Sequence, residues 1–239
     1  MEARLAHPIF DPIRDWLDRI QDSPSLELLN SFAEEQDLKT ESGNPVRFVP
    51  PAPSDPYYEV HLFESGRVQT RPDSNHDLFN ALCWLAFPKT KARINAMHAT
   101  EIPRERGQRG RLRDMLTIFD EGGAIVAGGA GIEALVRAAR WRELFVERHR
   151  DFRIVVLGHA VLEQALSPHA GITCKVIFVG GADDLDACAA RALAGIPSPK
   201  ELPPLPVFGY PGWLPDSGRA GFYDDTRYFR PAVRASAGR

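Results

Sequence analysis

At 239 residues the chain is long enough to bury a sizeable core, and its 44% hydrophobic and 26% charged residues are the balance of an ordinary soluble globular protein. Lys and Arg total 29 against 32 Asp and Glu, and a net charge of −3 offers no global attraction to nucleic acid or an anionic membrane. Any nucleic-acid role therefore has to rest on a local patch.

The three cysteines, Cys83, Cys174 and Cys188, are odd in number, far apart and set in apolar segments. That is the pattern of buried free thiols in a reducing compartment. The first residues carry acidic groups where a signal peptide needs an apolar run, and no later run approaches the roughly 20 apolar residues of a membrane span. The expectation is a cytoplasmic protein with no membrane partner.

Asp11-Pro12 followed by Ile13, Trp16, Leu17 and Ile20 predicts a first amphipathic helix, with a cap and a proline at its first position. Ser23-Pro24-Ser25 breaks it and starts a second helix with Leu26, Leu28, Leu29 and Phe32 to bury, and the two cover the core. Pro45, Pro50, Pro51, Pro53 and Pro56 then bracket the extended piece 46–49, a fixed connector and not a central strand. Tyr57 to Phe63 and Arg67 to Thr70, flanking Glu64-Ser65-Gly66, read as a β-hairpin.

A helix from about Asn75 to Phe87 follows, capped by Asp73 or Ser74 and stopped by Pro88. It has almost no polar face after its first turn, which predicts the central buried helix. A further helix runs from about Lys89 to Thr100, then an arginine-rich loop from Arg104 to Arg113. Residues 115–119, the turn Asp120-Glu121-Gly122-Gly123 and residues 124–126 read as a second hairpin. Next come a helix over 132–148, a strand over 153–157, a helix opening at Gly158-His159, a strand over 174–179, and a helix capped by Asp183 or Asp184.

Hairpins mixed with strand-helix-strand units predict an α+β fold, a mixed sheet with packed helices. From Pro197 the chain is rich in proline and glycine with Phe208, Tyr210, Trp213, Phe222, Tyr223, Tyr228 and Phe229 spread through it, which predicts a tail that wraps the domain. The chain thus reads as one domain, with N-terminal helices over 1–36, a core over 57–195, the wrapping tail over 197–239, and a frayed end from Ala232.

His76 and Asn80 share one helix face by their i,i+4 spacing, with Asp77 beside them. They are either a metal or general-base constellation or a capping and core hydrogen-bond network. His159 and Glu163 repeat the spacing where a strand turns into a helix, the position at which ligands of open sheets collect; an ordinary helical ion pair gives the same pattern. Asp114, Asp120 and Glu121 could join His76, Asp77 and His159 as ligands for Mg²⁺, Mn²⁺ or Zn²⁺. For Glu121 the simpler reading is turn chemistry, which favours acidic residues before glycine.

Arg104, Arg106, Arg109, Arg111 and Arg113, interleaved with Gly107 and Gly110, read either as a phosphate-gripping loop or as a solvated charge run, with Arg113 the one fixed in place. Gly129-Ala130-Gly131-Ile132-Glu133-Ala134 matches a dinucleotide fingerprint. The strand before it is read as the return arm of a hairpin and no ribose-binding acid follows, so an NAD site is not expected.

Several stretches resemble the mostly proteobacterial domain-of-unknown-function family numbered 3025. They are residues 76–82 (HDLFNAL), 84–91 (WLAFPKTK), 113–121 (RDMLTIFDE), 158–163 (GHAVLE), 209–215 (GYPGWLP) and 222–231 (FYDDTRYFRP). The resemblance implies no activity, substrate or cofactor. Asn75 and Leu214 stand where that family's pattern often has Trp, which implies different packing there. The resemblance makes Asp224, Asp225 and Arg230 candidate partners for the arginine-rich segment, or a structural clasp of the tail.

Two functions follow from the residues. One is a metal-dependent hydrolase of a phosphate ester or nucleic acid, with His76, Asp77, His159 and Glu163 catalytic, Arg113 and Asn80 on the substrate, and His76, Asp114 and His159 on a divalent metal ion. The other is a non-catalytic cytoplasmic protein in which those groups form a buried polar network. A weaker third likeness, to ββα metal-finger nucleases, pairs His61 in the first hairpin with Asn80.

Overall fold

The computed structural model describes residues 5–20, 24–51, 58–105, 108–181 and 183–232. The expectations that fall on Ser23, Pro53, Pro56, Arg106, Gly107 and the last residues after 232 lie outside them.

A 3₁₀ turn, Pro8–Ile13, runs into helix α1 (Arg14–Ile20), and Ser25 caps α2 (Leu26–Glu35) by accepting from Leu28 N. Both bury one apolar stripe, Ile9, Phe10 and Ile13 on the first piece and Leu29, Phe32 and Ala33 on α2. Strand β1 (Arg47–Val49) follows, then α3 (Tyr58–Ser65) and β2 (Arg67–Gln69). The predicted first hairpin is thus absent: its first arm is a helix, and β2 pairs in parallel with β1. Parallel neighbours need a crossover, and α3 supplies it. Tyr58 and Leu62, four apart, meet the helical period as readily as the alternation of a strand, and Leu62 is buried. The change also removes the ββα likeness, since His61 lies on a helix.

The central helix α4 (Asn75–Ala86) is capped by Ser74, which accepts from Asp77 N at 3.2 Å. It buries Phe79, Ala81, Leu82, Cys83, Trp84 and Leu85. Pro88 opens α5 (Pro88–Glu101) directly. Helix α6 (Arg111–Gly122) stands where a strand and a turn are expected. Leu112, Met115, Leu116 and Phe119 fall on one face at three- and four-residue spacing, and the last three are buried, so the helical period prevails over the short apolar run.

Helix α6 passes without a loop into β3 (Gly123–Gly128), the second strand of a four-stranded sheet. Strand β3 pairs antiparallel with β4 (Phe152–Val156) and parallel with β5 (Cys174–Val179), which in turn pairs antiparallel with the short β6 (Pro204–Leu205). Five of the six β3 residues are buried, the continuous apolar pattern of a strand covered on both faces. The Gly129-Ala130-Gly131 segment leads from this inner strand, not from a hairpin arm, into α7 (Ala130–Arg137). The long helix expected over 132–148 is interrupted: Ala139 has φ 51°, and a π-helical turn, Glu143–Glu147, follows. Helix α8 (His159–Gln164) opens after β4, and α9 (Leu185–Leu193) is capped by Asp184.

The tail wraps as its aromatics predict. Tyr228 Oη donates to Ile172 O at 2.8 Å and accepts from Phe208 N at 2.9 Å; Trp141 Nε1 donates to Arg230 O at 2.7 Å. Phe145 packs against Tyr223 and Phe229. Asp225 pairs with Arg227, and Asp224 lies 3.9 Å from Arg142, so these acids engage cations outside the arginine-rich segment. Cys83 and Cys174 are buried free thiols and Cys188 is half-buried. Among the described residues no helix is long and apolar enough to cross a membrane.

Gly66 tests the α3–β2 corner. Its φ is +74°, and a Cβ there would sit 2.0 Å from Pro45 O. Gly66→Ala is expected to lower unfolding free energy by about 1–3 kcal/mol, read from the urea midpoint at unchanged m.

Candidate metal centre

The centre is built where three chain segments converge: the first turn of α4, the last turn of α6, and the β4–α8 junction. Two glycines allow the approach. Leu157 N and Gly158 N both donate to Gly123 O, at 3.1 and 2.8 Å, and a Cβ on Gly158 would lie 2.5 Å from Gly123 N and 2.7 Å from Glu121 O. Cys83 Sγ on α4 donates to Leu157 O at 3.1 Å, fixing the central helix to the same junction.

This brings His159 Nε2 to 3.4 Å from Glu121 Oε2, while His76 Nε2 stands 3.8 Å from the same oxygen. The two imidazoles meet edge to face with centroids 4.6 Å apart. Among the described residues His76, Glu121 and His159 form the one group whose ligand atoms all lie within 4.8 Å of one another. In a tetrahedral zinc site, with Zn–N distances near 2.0–2.1 Å, neighbouring ligand atoms are about 3.3 Å apart. The His159–Glu121 separation of 3.4 Å matches that spacing and the His76–Glu121 separation of 3.8 Å is somewhat longer.

Behind the ligand atoms stand further carboxylates. Glu163 Oε2 is 3.1 Å from His76 Nδ1, and Asp120 Oδ2 is 3.8 Å from His159 Nδ1. Each imidazole therefore turns Nε2 to Glu121 and Nδ1 to a carboxylate, the arrangement that orients metal-bound histidines. His159 is buried, and its Nδ1 makes no hydrogen bond of full geometry. Burial lowers its pKa to about 4, against the opposing pull of Asp120, so at neutral pH the ring is uncharged with a lone pair to give. His76 and Glu121 have side chains 34% and 43% exposed, which opens the centre to solvent. Burial raises the Glu121 carboxyl, partly offset by His76.

Asp120 faces inward from the same helical turn. Its Oδ1 accepts from Lys91 Nζ at 2.5 Å, and Lys91 also donates to Asn80 Oδ1 at 2.8 Å. Burial alone would raise Asp120, but the Lys91 ammonium holds it below the usual carboxylate range.

The sequence-predicted residues divide. His76, His159 and Glu163 come together. Asp77 accepts from Arg71 N, Nε and Nη2 at 2.7–2.8 Å, a contact that fixes the entry to α4 and holds its carboxyl low. Asn80 faces Lys91. Asp114 pairs with Arg109 at 3.1 Å and is not in the triad. Arg113 is tied to Glu105 at 2.6 Å and to His98 Nδ1 at 3.3 Å, eight residues from Glu121 on α6 and so about 12 Å away along the axis. Arg104 pairs with Glu101. Glu121 is not turn chemistry but the shared oxygen of the triad. Lys91 closes the 84–91 stretch of the family resemblance but takes no functional assignment from it; a lysine at the start of an otherwise buried helical stretch is the available signal.

A protein-family model described as Protein of unknown function (DUF3025) matches residues 46–233, more than half of the chain and every residue of the centre. No curated protein and no solved structure matches.

Two expected outcomes test this geometry. Gly158→Ala should destabilise by about 1–3 kcal/mol, since the added methyl meets backbone and not a movable side chain; thermal unfolding reads it. The second concerns His98, whose pKa burial lowers from 6.5 to about 4. Between those values the unfolded chain binds the proton and the folded chain does not, so this group costs stability as pH falls from about 6.5 to about 4. His98→Leu should flatten the slope of unfolding free energy against pH in that window, relative to the wild type.

Proposed function

We propose that this chain, which belongs to the DUF3025 family of proteins of unknown function, is a metal-dependent hydrolase with His76 Nε2, His159 Nε2 and Glu121 as its ligands. The observation that carries the reading is the shared approach of both Nε2 atoms to one Glu121 oxygen, with a carboxylate on each Nδ1 side. Two imidazoles and a carboxylate suit Zn²⁺ or Mn²⁺ better than Mg²⁺, which prefers oxygen. Three protein ligands leave a position for water, and a metal there supplies an activated hydroxide and a Lewis acid for a developing oxyanion.

In this reading Glu163 holds His76 in the tautomer that leaves Nε2 free, and neutral His159 offers its own Nε2. Asp77 acts through the Ser74 cap and Arg71 to fix the helix turn that carries His76. Asn80 and Arg113 take structural parts and do not touch the substrate.

Charge narrows the substrate. Two metal charges are offset by Glu121 and Glu163, Lys91 by Asp120 and Arg71 by Asp77. The centre has no surplus positive charge from these groups for a phosphate dianion, which favours an uncharged ester or amide over a phosphate monoester or nucleic acid. The rival reading, a non-catalytic protein, draws on the Lys91–Asp120–Asn80 contacts, which satisfy one another without any metal.

Metal analysis separates the two. The purified protein should hold about one equivalent of zinc or manganese, and Glu121→Gln or His159→Ala should lose it. It should turn over p-nitrophenyl acetate faster than p-nitrophenyl phosphate, stop with a chelator and recover with Zn²⁺. Iron as the resident metal, or hydrolysis indifferent to chelation, would end the proposal.

A further inference from the structure

Lys91 lies on α5, away from the triad, and is nearly the most completely enclosed cation described: its side chain is 4% exposed. An ammonium has three donors. One goes to Asp120 Oδ1 and one to Asn80 Oδ1, and the Trp84 ring lies 5.7 Å from Nζ. The side chain also lines a small, partly open cavity of about 30 Å³, together with Tyr58, Glu59, Asn80, Asn95 and Asp120. Asn95 is buried, its amide donates to Glu59, and its Oδ1 has no partner. A polar cavity of that size has room for about one or two waters, and one bound there would join the third Lys91 donor to the unpaired Asn95 oxygen.

From these contacts we infer that Lys91 is a positioning residue for the metal centre, holding Asp120 so that it keeps the proton of His159 on Nδ1 and Nε2 turned to the metal. This rests on the metal-centre reading. Asp120 has two oxygens and turns them in opposite directions: Oδ1 accepts from Lys91, and Oδ2 lies 3.8 Å from His159 Nδ1, a buried nitrogen with no hydrogen-bond partner of its own. With Oδ1 fixed by a buried ammonium the carboxylate cannot rotate away, and Asn80 holds the ammonium in turn. Helix α5 thereby sets the tautomer of a histidine that Lys91 does not touch.

The test compares zinc affinity of the full chain, by competition with a chromophoric chelator, in the wild type, Lys91→Met and Lys91→Arg. Loss of an outer partner of a metal-bound histidine weakens binding roughly 10–100-fold, and that loss is expected for Lys91→Met, with partial recovery in Lys91→Arg. Affinity within twofold of the wild type in Lys91→Met overturns the inference and leaves the metal centre standing; a wild type that takes up neither zinc nor manganese overturns both. Removing Lys91 leaves Asp120 uncompensated, and where Lys91→Met does not fold the wild type decides the matter. In ¹⁵N-histidine spectra of metal-free protein at neutral pH, His159 should be the Nδ1–H tautomer, and the Nε2–H tautomer would refute the inference.

Discussion

The structure turns on a single close backbone contact. Gly123 O takes hydrogen bonds from both Leu157 and Gly158, and the gap between the strands at that point has no room for a Cβ. The contact joins the end of α6 to the start of α8 and the inner strand β3 to its antiparallel neighbour β4. Glu121 and His159 face each other because each stands within two residues of this junction. A side chain at Gly158 would separate them before any change in either ligand residue mattered.

Around the junction, charge is handled in two ways according to depth. The outer groups, His76, Glu121 and Glu163, keep part of their surface in water, where a carboxylate can remain ionised without a dedicated cation. The inner groups have no such freedom. Asp120 depends on Lys91, and the carboxyl of Glu59, beside Asn95, is raised by burial. Removing one member of the Lys91–Asp120 pair exposes the other to the full desolvation penalty, of the order of 3–5 kcal/mol. That cost explains why the two sit among Asn80, Trp84 and a small polar cavity rather than against bare apolar side chains.

Much of this was legible in the sequence where one period was unmistakable. The cap at Ser74 and the unbroken apolar run to Phe87 placed α4, and Pro88 marked its end and the start of α5. The aromatic tail was readable because large rings spaced through a proline-rich stretch have to be buried. Two stretches were misread for the same reason. Residues 58–65 and 111–122 offer only four and five apolar positions, too few to separate a period of 2 from one of 3.6, and Gly66 and Gly122-Gly123 look like hairpin turns. In both cases packing against α5 and the sheet decided the outcome, which no local pattern carries.

The error over α6 also explains why half the centre was undervalued. If 120–123 is a turn, Asp120 and Glu121 are interchangeable polar residues at its tip. On a helix, adjacent side chains diverge by about 100°, so two neighbouring acids are sent to different places. Asp120 goes inward to Lys91 and the Nδ1 side of His159, and Glu121 goes outward between two Nε2 atoms. One helical turn thus furnishes both a shared ligand and the carboxylate behind one of its partners. An acid pair ending a helix beside two glycines is therefore a stronger sign of a built site than the same pair in a hairpin, and the helical period has to be read first for it to be seen.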